Sequence, residues 1–182
     1  MPRIAYVNGR YVPHPEACVN VEDRGFQFGD GIYEVVHVFG GRFVDEELHL
    51  ARLARSLNEI RLAIPVAAPA LRLVLREVVR RNRVSEGLVY MQVTRGVARR
   101  EHAFPLRPVA PSLVVTARRL PPFPTDVERW AVPAITLPDL RWKHRDIKSI
   151  NLLPNILARQ AATGRLFGET AVELGVTDDG AI

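Results

Sequence analysis

Residues 22–36 read EDRGFQFGDGIYEVV, and within them a Gly29-Asp30-Gly31 turn leads into an apolar run. Glycine and aspartate favour turns, and the run lasts to Phe39, so we predict a strand from Ile32 to Phe39. Successive side chains of a strand point to opposite faces. One face is therefore expected to hold Tyr33, Val35 and His37, and the other Ile32, Glu34, Val36 and Val38.

Further apolar runs on both sides of this strand predict a sheet. Upstream, Ala5-Tyr6-Val7 and Tyr11-Val12 flank an Asn8-Gly9 turn, so the first forty residues are interpreted as strands joined by turns. Downstream, Leu88–Thr94 and Ser112–Thr116 are predicted strands, joined by the loop Arg95–Arg107.

Two helices are predicted between these strands. The first is predicted from about Glu46 to Arg61, because apolar residues recur at helical spacing in and just after this stretch: Leu50, Leu53, Leu57, Ile60 and Ile64. Arg52 lies outside this apolar stripe. A second helix is predicted from Pro69 to about Arg81, because proline suits a first helical turn. We expect both helices to cover one face of the sheet.

A proline-rich stretch divides the chain. Pro121-Pro122-Phe123-Pro124 continues neither a helix nor a central strand, so we predict a linker at 119–126 between a domain of residues 1–118 and one of residues 127–182. The second part is expected to contain a strand near Trp130–Ile135, a helix near Leu153–Ala162 and a strand near Glu169–Leu174. The last five residues resemble a hairpin turn, which suggests an incomplete second domain.

Composition narrows the class of protein. The chain of 182 residues is 47% hydrophobic and 25% charged, which is typical of a globular protein, and it contains no apolar run of membrane-spanning length. Its N-terminus lacks the apolar core of a secretory signal. The single Cys18 excludes an internal disulfide, so we expect a reducing, cytoplasmic location.

The positive charge favours a small anionic partner as much as a nucleic acid. The formal net charge is +5, but the basic residues are spread along the chain without a clustered patch or a nucleic-acid-binding motif. Of the 25 basic residues only Lys143 and Lys148 are lysines. A desolvated lysine can lose its proton and attack a carbonyl, which an arginine does not do. Chance retention of two lysines in an arginine-rich chain is the alternative.

The residues alone suggest few sites. Lys148, Arg52, Tyr33 and the loop 99–102 carry suitable groups, although each also has an ordinary structural role open to it. Zinc-protease, paired CxxC, phosphate-loop, dinucleotide and GxSxG motifs are absent from the sequence.

Three stretches carry a resemblance to a known family. They are 22–36, quoted above, the pair YMQVTRG at 90–96 and REHAFP at 100–105, and DIKSINLL at 146–153. Together they resemble class IV (fold type IV) aminotransferases, and most closely D-amino-acid (D-alanine) aminotransferases. The resemblance implies a two-domain α+β or α/β fold with an incomplete second domain in this chain.

The same resemblance implies the chemistry. Pyridoxal 5'-phosphate would form a Schiff base with Lys148, and Arg52 would contact the cofactor's phosphate. Tyr33, Arg100 and His102 would bind the substrate carboxylate, with Arg100 and His102 coming from the partner subunit of a homodimer. Val35 and His37 would line the site. The substrates would be a D-amino acid and a 2-oxo acid, with neither nucleic acid nor membrane involved.

Departures from the family pattern leave alternatives open. Glu101 stands between Arg100 and His102, and His37 stands where lysine is common, so the preferred amino donor stays open. Branched-chain aminotransferase, aminodeoxychorismate lyase and (R)-amine transaminase are of the same fold. From another class, a chain that lacks the family's later cofactor-binding groups would be a non-catalytic dimerisation or cofactor-binding module.

Overall fold

The computed structural model describes residues 3–121, 125–126, 128 and 134–165. Within these residues it contains six strands and four α-helices. In chain order they are β1 Ile4–Val7, β2 Arg10–Pro13, α1 Arg24–Phe28, β3 Gly31–Phe39, β4 Arg42–Phe43, α2 Glu46–Glu59, α3 Ala68–Arg81, β5 Gly87–Thr94, β6 Ser112–Arg119 and α4 Leu153–Arg165.

The six strands form one antiparallel sheet in the order β2-β1-β6-β5-β3-β4. Its centre is the long pairing of β3 with β5, which runs from Gly31 opposite Thr94 to Val38 opposite Gly87. A Cβ at Gly31 would lie 2.7 Å from the Val93 carbonyl oxygen, so glycine permits the close approach at this end. The strands predicted between residues 5 and 116 are confirmed, and β4 is an addition.

The two faces of β3 differ as the alternation predicted. Ile32, Glu34, Val36 and Val38 are buried, whereas Tyr33, Val35 and His37 are only half-buried. Helices α2 and α3 pack on the buried face, where α2 contacts β3 and α3 contacts β1, β5 and β6. We call the other side of the sheet, with Tyr33, the open face.

The helical stripes are mostly as expected. Leu50, Leu53 and Leu57 of α2 are buried, but the helix ends at Glu59 and Ile64 beyond it is 39% exposed, so that part of the predicted stripe is wrong. The chain leaves the helix through Arg61, whose φ of 52° breaks the helical repeat. The second predicted helix is confirmed as α3, whose buried residues are Leu71, Val74, Leu75, Val78 and Val79.

Helix α1 was missed, since the first forty residues were interpreted as strands and turns. Asp23 caps it, accepting a hydrogen bond of 2.8 Å from the Gly25 amide, and Gly29 ends it with a φ of 69°. The second carboxylate oxygen of the buried Asp23 accepts from Thr94 Oγ1 at 2.8 Å and from Ser112 Oγ at 2.7 Å. One aspartate thus ties α1 to β5 and β6.

The chain divides into two compact units, Met1–Pro121 with Ile147–Ile150, and Pro122–Asp146 with Asn151–Ile182. Helix α4 confirms the predicted helix near 153–162 and extends it to Arg165. Residues 122–124 of the predicted linker, 130–133 of one predicted strand, and the predicted strand and turn after 168 lie outside the described residues. The division into domains at 119–126 stays a prediction.

Over the described part of the chain, no helix has the length and apolar character needed to cross a membrane.

Candidate active site

Residues 148–150 lie beside the first residues of β3. The Tyr33 amide donates a hydrogen bond of 3.1 Å to the Lys148 carbonyl, and the Ile150 amide donates one of 3.2 Å to the Gly31 carbonyl. Ile32 and Ser149 form the antiparallel bridge between these contacts. A short segment distant in sequence therefore pairs with the end of β3 that carries Tyr33.

This pairing brings the Lys148 amine to Tyr33. Lys148 is half-buried between the buried residues Ile147 and Ser149, and its Nζ lies 4.6 Å from the centroid of the Tyr33 ring. An amine at this distance from an aromatic face is attracted in its protonated form. Lys143 is exposed, so the two lysines of the chain lie in different surroundings.

Tyr90, which sequence reasoning did not include in the site, lies on the open face next to Tyr33. The two rings stack with their centroids 5.7 Å apart and an angle of 24° between their planes. The Tyr90 hydroxyl donates to Gln92 Oε1 at 2.7 Å. Burial, and to a smaller extent Tyr33, raises the pKa of Tyr90 to about 12, so its phenol stays protonated near neutral pH. The alternation of Tyr90 and Gln92 in β5 was the available signal.

Val35 and His37 continue the open face away from Lys148. Val35 pairs with Tyr90 across the sheet, and the His37 ring lies 6.4 Å from that of Phe39. His37 follows Tyr33 by four residues, which places it about 13 Å further along the strand. Of the two, Val35 is therefore nearer to the lysine.

Arg52 meets a buried carboxylate on the opposite side of β3. Its Nε and Nη2 donate to the two oxygens of Glu34 at 2.6 and 3.0 Å, and Nδ1 of His49 lies 2.9 Å from Glu34 Oε2. Glu34 is fully buried while the Arg52 side chain is 27% exposed. The paired hydrogen bonds compensate the buried charge and fix the plane of the guanidinium. Glu34 and His49 were not among the predicted site residues.

Arg100 and His102 form a second cluster around Phe28, the last residue of α1. The Arg100 guanidinium carbon lies 4.9 Å from the centroid of the Phe28 ring, and the His102 ring lies 5.6 Å from it. Both residues are exposed, as is Glu101 between them. A half-buried aromatic ring therefore supports two exposed cationic or polar side chains of the loop after β5.

A buried ion cluster that the sequence did not reveal lies next to this loop. Asp30 accepts from Arg24 Nε at 2.8 Å and from Arg95 Nε and Nη2 at 2.8 and 3.0 Å. Burial acts to raise the pKa of Asp30, but the hydrogen bonds and charges of Arg95 and Arg24 outweigh it and hold the pKa below its usual range. Asp30 is therefore ionised near neutral pH.

A family model for class IV amino-transferases matches residues 31–173. The chain belongs to the class IV aminotransferase family. The sequence-based recognition of this family is thereby confirmed.

Relatives and solved structures agree with that assignment. The D-alanine aminotransferase of Staphylococcus haemolyticus is 38% identical over 172 residues, which are 94% of this chain and 61% of the relative. A branched-chain amino acid aminotransferase of Thermoproteus uzoniensis, solved with norvaline, matches 94% of this chain and 59% of its own at 23% identity and a TM-score of 0.70. The 4-amino-4-deoxychorismate lyase of Pseudomonas aeruginosa matches 86% of this chain and 56% of its own, at 28% identity and a TM-score of 0.66.

These likenesses confirm the predicted fold class, which is that of fold type IV aminotransferases. Another branched-chain amino acid aminotransferase, solved with pyridoxamine 5'-phosphate, matches 91% of this chain at 21% identity and a TM-score of 0.74. The chain spans 61% of the length of the S. haemolyticus relative.

In this class IV aminotransferase chain, the predicted site residues fall into three places. Lys148, Tyr33 and Val35 share one end of the open face, and His37 lies further along it. Arg52 lies with Glu34, and Arg100 and His102 lie with Phe28. Among the described residues, no group of three or more His, Cys, Asp or Glu side chains is arranged to hold a metal ion.

Proposed function

We propose that the protein transfers an amino group from a D-amino acid, such as D-alanine or D-glutamate, to a 2-oxo acid with pyridoxal 5'-phosphate as cofactor. The observation that carries the proposal is the half-buried Lys148 amine beside Tyr33, on the open face of the sheet. The preference for a D-amino acid follows from the 38% identity to a D-alanine aminotransferase.

Lys148 and Arg52 carry groups that suit the aldehyde and the phosphate of such a cofactor. Lys148 offers a primary amine that would hold the aldehyde of pyridoxal phosphate as a Schiff base. Arg52 offers a guanidinium of fixed orientation, suited to a phosphate group. When bound, the cofactor withdraws electrons from the substrate's Cα. A relative of the same fold was solved with pyridoxamine 5'-phosphate, which supports the choice.

Lys148 would also move the proton in the reaction. If substrate takes its place on the cofactor, the Lys148 amine would act as a general base, taking the proton from the substrate's Cα and returning it to the C4′ carbon of the cofactor. The Tyr33 ring beside Nζ favours the protonated amine that this step produces, and it shields the amine from water on one side.

The substrate's carboxylate would be bound by Arg100, His102 and Tyr33. A guanidinium matches a carboxylate with two parallel hydrogen bonds, and a phenol and an imidazole can donate to the remaining lone pairs. Val35 and His37 would line the pocket. Arg100 and His102 are exposed, which suits a loop that reaches the site of the partner subunit in a homodimer. The cytoplasmic location expected from the single Cys18 belongs to the same proposal.

The test uses the natural full-length protein loaded with pyridoxal phosphate. We expect a visible absorption band that D-alanine bleaches with release of pyruvate, while L-alanine does not. Borohydride reduction followed by peptide mass spectrometry should place the cofactor on Lys148. Bleaching by L-leucine instead would favour a branched-chain aminotransferase, and pyruvate release from aminodeoxychorismate would favour the lyase.

The matched variants are Lys148→Ala and Lys143→Ala. We expect Lys148→Ala to lose the visible band and at least about a thousandfold in kcat, because no other described amine lies beside Tyr33. Lys143→Ala removes the exposed lysine and should change neither the visible band nor kcat. Full activity of Lys148→Ala would overturn the assignment.

A further inference from the structure

The loop after β5 is fixed at its base by main-chain contacts. The Arg24 amide donates to the Gly96 carbonyl at 2.9 Å, and Asp23 forms a bridge with Val97. The residues with proposed chemistry lie further out, at 100–102, where the side chains are exposed. Exposed loop residues hold one geometry only if something fixes their backbone.

The Arg24 side chain supplies that support from beneath the loop. It is 3% exposed, and its Nη1 donates to the Glu101 carbonyl at 2.6 Å, while Nη2 makes a longer contact of 3.4 Å with the His102 carbonyl. Its Nε is held by Asp30 at 2.8 Å. The planar guanidinium of Arg24 therefore links the carboxylate of Asp30 to two consecutive carbonyls of the loop.

The charge balance around Asp30 explains why Arg24 and Arg95 also donate hydrogen bonds to backbone carbonyls. Arg24 and Arg95 share the single carboxylate of Asp30, so one buried positive charge is left for other acceptors. Arg95 directs its remaining hydrogen bonds to the carbonyls of Ile60 and Arg61, at the end of α2. Arg24 directs its own to Glu101 and His102, so the two arginines hydrogen-bond to different parts of the chain. The Arg95 guanidinium carbon also lies 3.8 Å from the centroid of the Phe104 ring, so Arg95 contacts the loop through that side chain and not through its carbonyls.

Phe28 couples the same support to the side chains above it. The guanidinium carbons of Arg24 and Arg100 lie 4.8 and 4.9 Å from the centroid of its ring, and the His102 ring also contacts it. Main-chain position and side-chain direction at 100–102 thus depend on one small group of residues.

We infer that Arg24 is a positioning residue, which holds the backbone of residues 101–102 so that Arg100 and His102 present their side chains to a carboxylate of the substrate. The inference rests on the proposed function for its substrate. Arg24 itself touches neither substrate nor cofactor, and it acts through the loop.

The test is Arg24→Lys in the full-length, cofactor-loaded protein. Lysine keeps the charge opposite Asp30 but cannot reach the carboxylate and two carbonyls together. We expect KM for D-alanine to rise about tenfold, with kcat within about twofold of the wild type. The substitution displaces the loop that binds the substrate but leaves the reaction at Lys148 unchanged. Trypsin should cleave after Arg99 and Arg100 faster than in the wild type.

A mutant cycle separates positioning from a general loss of stability. If Arg24 acts through Arg100 and His102, then Arg24→Lys should raise KM by no more than about twofold in a background that carries both Arg100→Ala and His102→Ala. An equal rise in both backgrounds overturns the inference, as does an unchanged KM together with unchanged cleavage. Arg95→Lys is the control: it weakens the same ion cluster but keeps a cation for the Phe104 ring and leaves the Glu101 and His102 carbonyls bound to Arg24. KM and cleavage should therefore stay near wild type.

Three further outcomes each have a defined consequence. If Arg24→Lys does not fold, Arg24→Gln retains one donor for the Glu101 carbonyl and should show the same direction of change. If neither variant folds, as judged by circular dichroism and thermal unfolding, Arg24 serves the fold as a whole and the inference fails. If the wild type does not consume D-alanine, the proposed function fails, and trypsin cleavage alone still tests the role of Arg24.

Discussion

At the scale of single residues, three carboxylates organise the surroundings of the proposed site, of which Asp23 and Glu34 are buried and Asp30 is half-buried. Asp23 ties α1 to two strands, Asp30 joins two arginines, and Glu34 joins Arg52 to His49. A buried carboxylate is costly unless it is compensated, and each of these has cationic or hydrogen-bonding partners. Removal of one would leave its partners without an acceptor.

Glu34→Gln tests this at the proposed phosphate site. The amide cannot accept the paired hydrogen bonds of Arg52 and keep the contact with His49, so we expect the free energy of unfolding to fall by about 2 kcal/mol. The affinity for pyridoxal phosphate should fall as well, because the guanidinium loses its fixed plane. Urea unfolding of the cofactor-free protein and a cofactor titration measure the two effects.

The control for this prediction is Glu47→Gln. Glu47 also pairs with an arginine, Arg72, but its side chain is 80% exposed, so its loss should leave the urea midpoint nearly unchanged. Equal destabilisation by both variants would contradict the role assigned to burial.

At the scale of elements, the short helix α1 connects the family motif to the rest of the sheet. Five residues are too few to be stable as an isolated helix, so its ends and its tertiary contacts must fix it. Asp23 does so at the N-terminus and Gly29, in the left-handed region, at the C-terminus. Phe28 of this helix supports Arg100, which makes the stability of α1 relevant to the loop.

Asp23→Ala is therefore expected to destabilise the protein by about 3 kcal/mol. The variant loses the helix cap and leaves the buried hydroxyls of Thr94 and Ser112 without their shared acceptor. Thermal and urea unfolding measure the change, with Glu22→Ala as the neighbouring exposed carboxylate for comparison. A loss no larger than that of Glu22→Ala would count against the proposed role of Asp23.

At the scale of the whole molecule, the stability of the protein should depend on acid through Asp30. The pKa of Asp30 is lower in the folded protein than its ordinary value, so its ion pairs contribute stability in full above about pH 4. That contribution is lost as the pH falls through the folded pKa. Protonation leaves Arg24 and Arg95 without a shared counter-charge.

The corresponding experiment compares the wild type with Asp30→Asn across pH. We expect the variant to be less stable by an amount that is constant above about pH 5 and shrinks as the pH falls below about 4, where both proteins carry a neutral group at this position. Melting temperatures at each pH give the difference. A difference that persists unchanged in strong acid would show that charge at Asp30 is not the cause.

The sequence by itself determined the family and most of the regular elements of residues 3–121, and it is the source of the proposal that Lys148 binds the cofactor. Alternation in residues 32–39 indicated which side chains are buried, because one face of an antiparallel sheet must meet the helices. The motifs at 22–36, 90–105 and 146–153 together indicated the family, since each is a local stretch that can be recognised without knowing what it contacts in the fold. Helix α1 was not predicted, because five residues are too few to show a helical periodicity in the sequence.

Only the tertiary structure decided which charged groups meet. Arg24 contacts a carbonyl 77 residues away, Arg95 an aspartate 65 residues away, and Tyr33 stacks on Tyr90 across the strand pairing. In a chain with 25 basic and 20 acidic residues, composition leaves many pairings open. The choice among them depends on which strands pair and in which register, and that is not encoded in a local pattern. Where the paired charges are buried, an unpaired one would be costly.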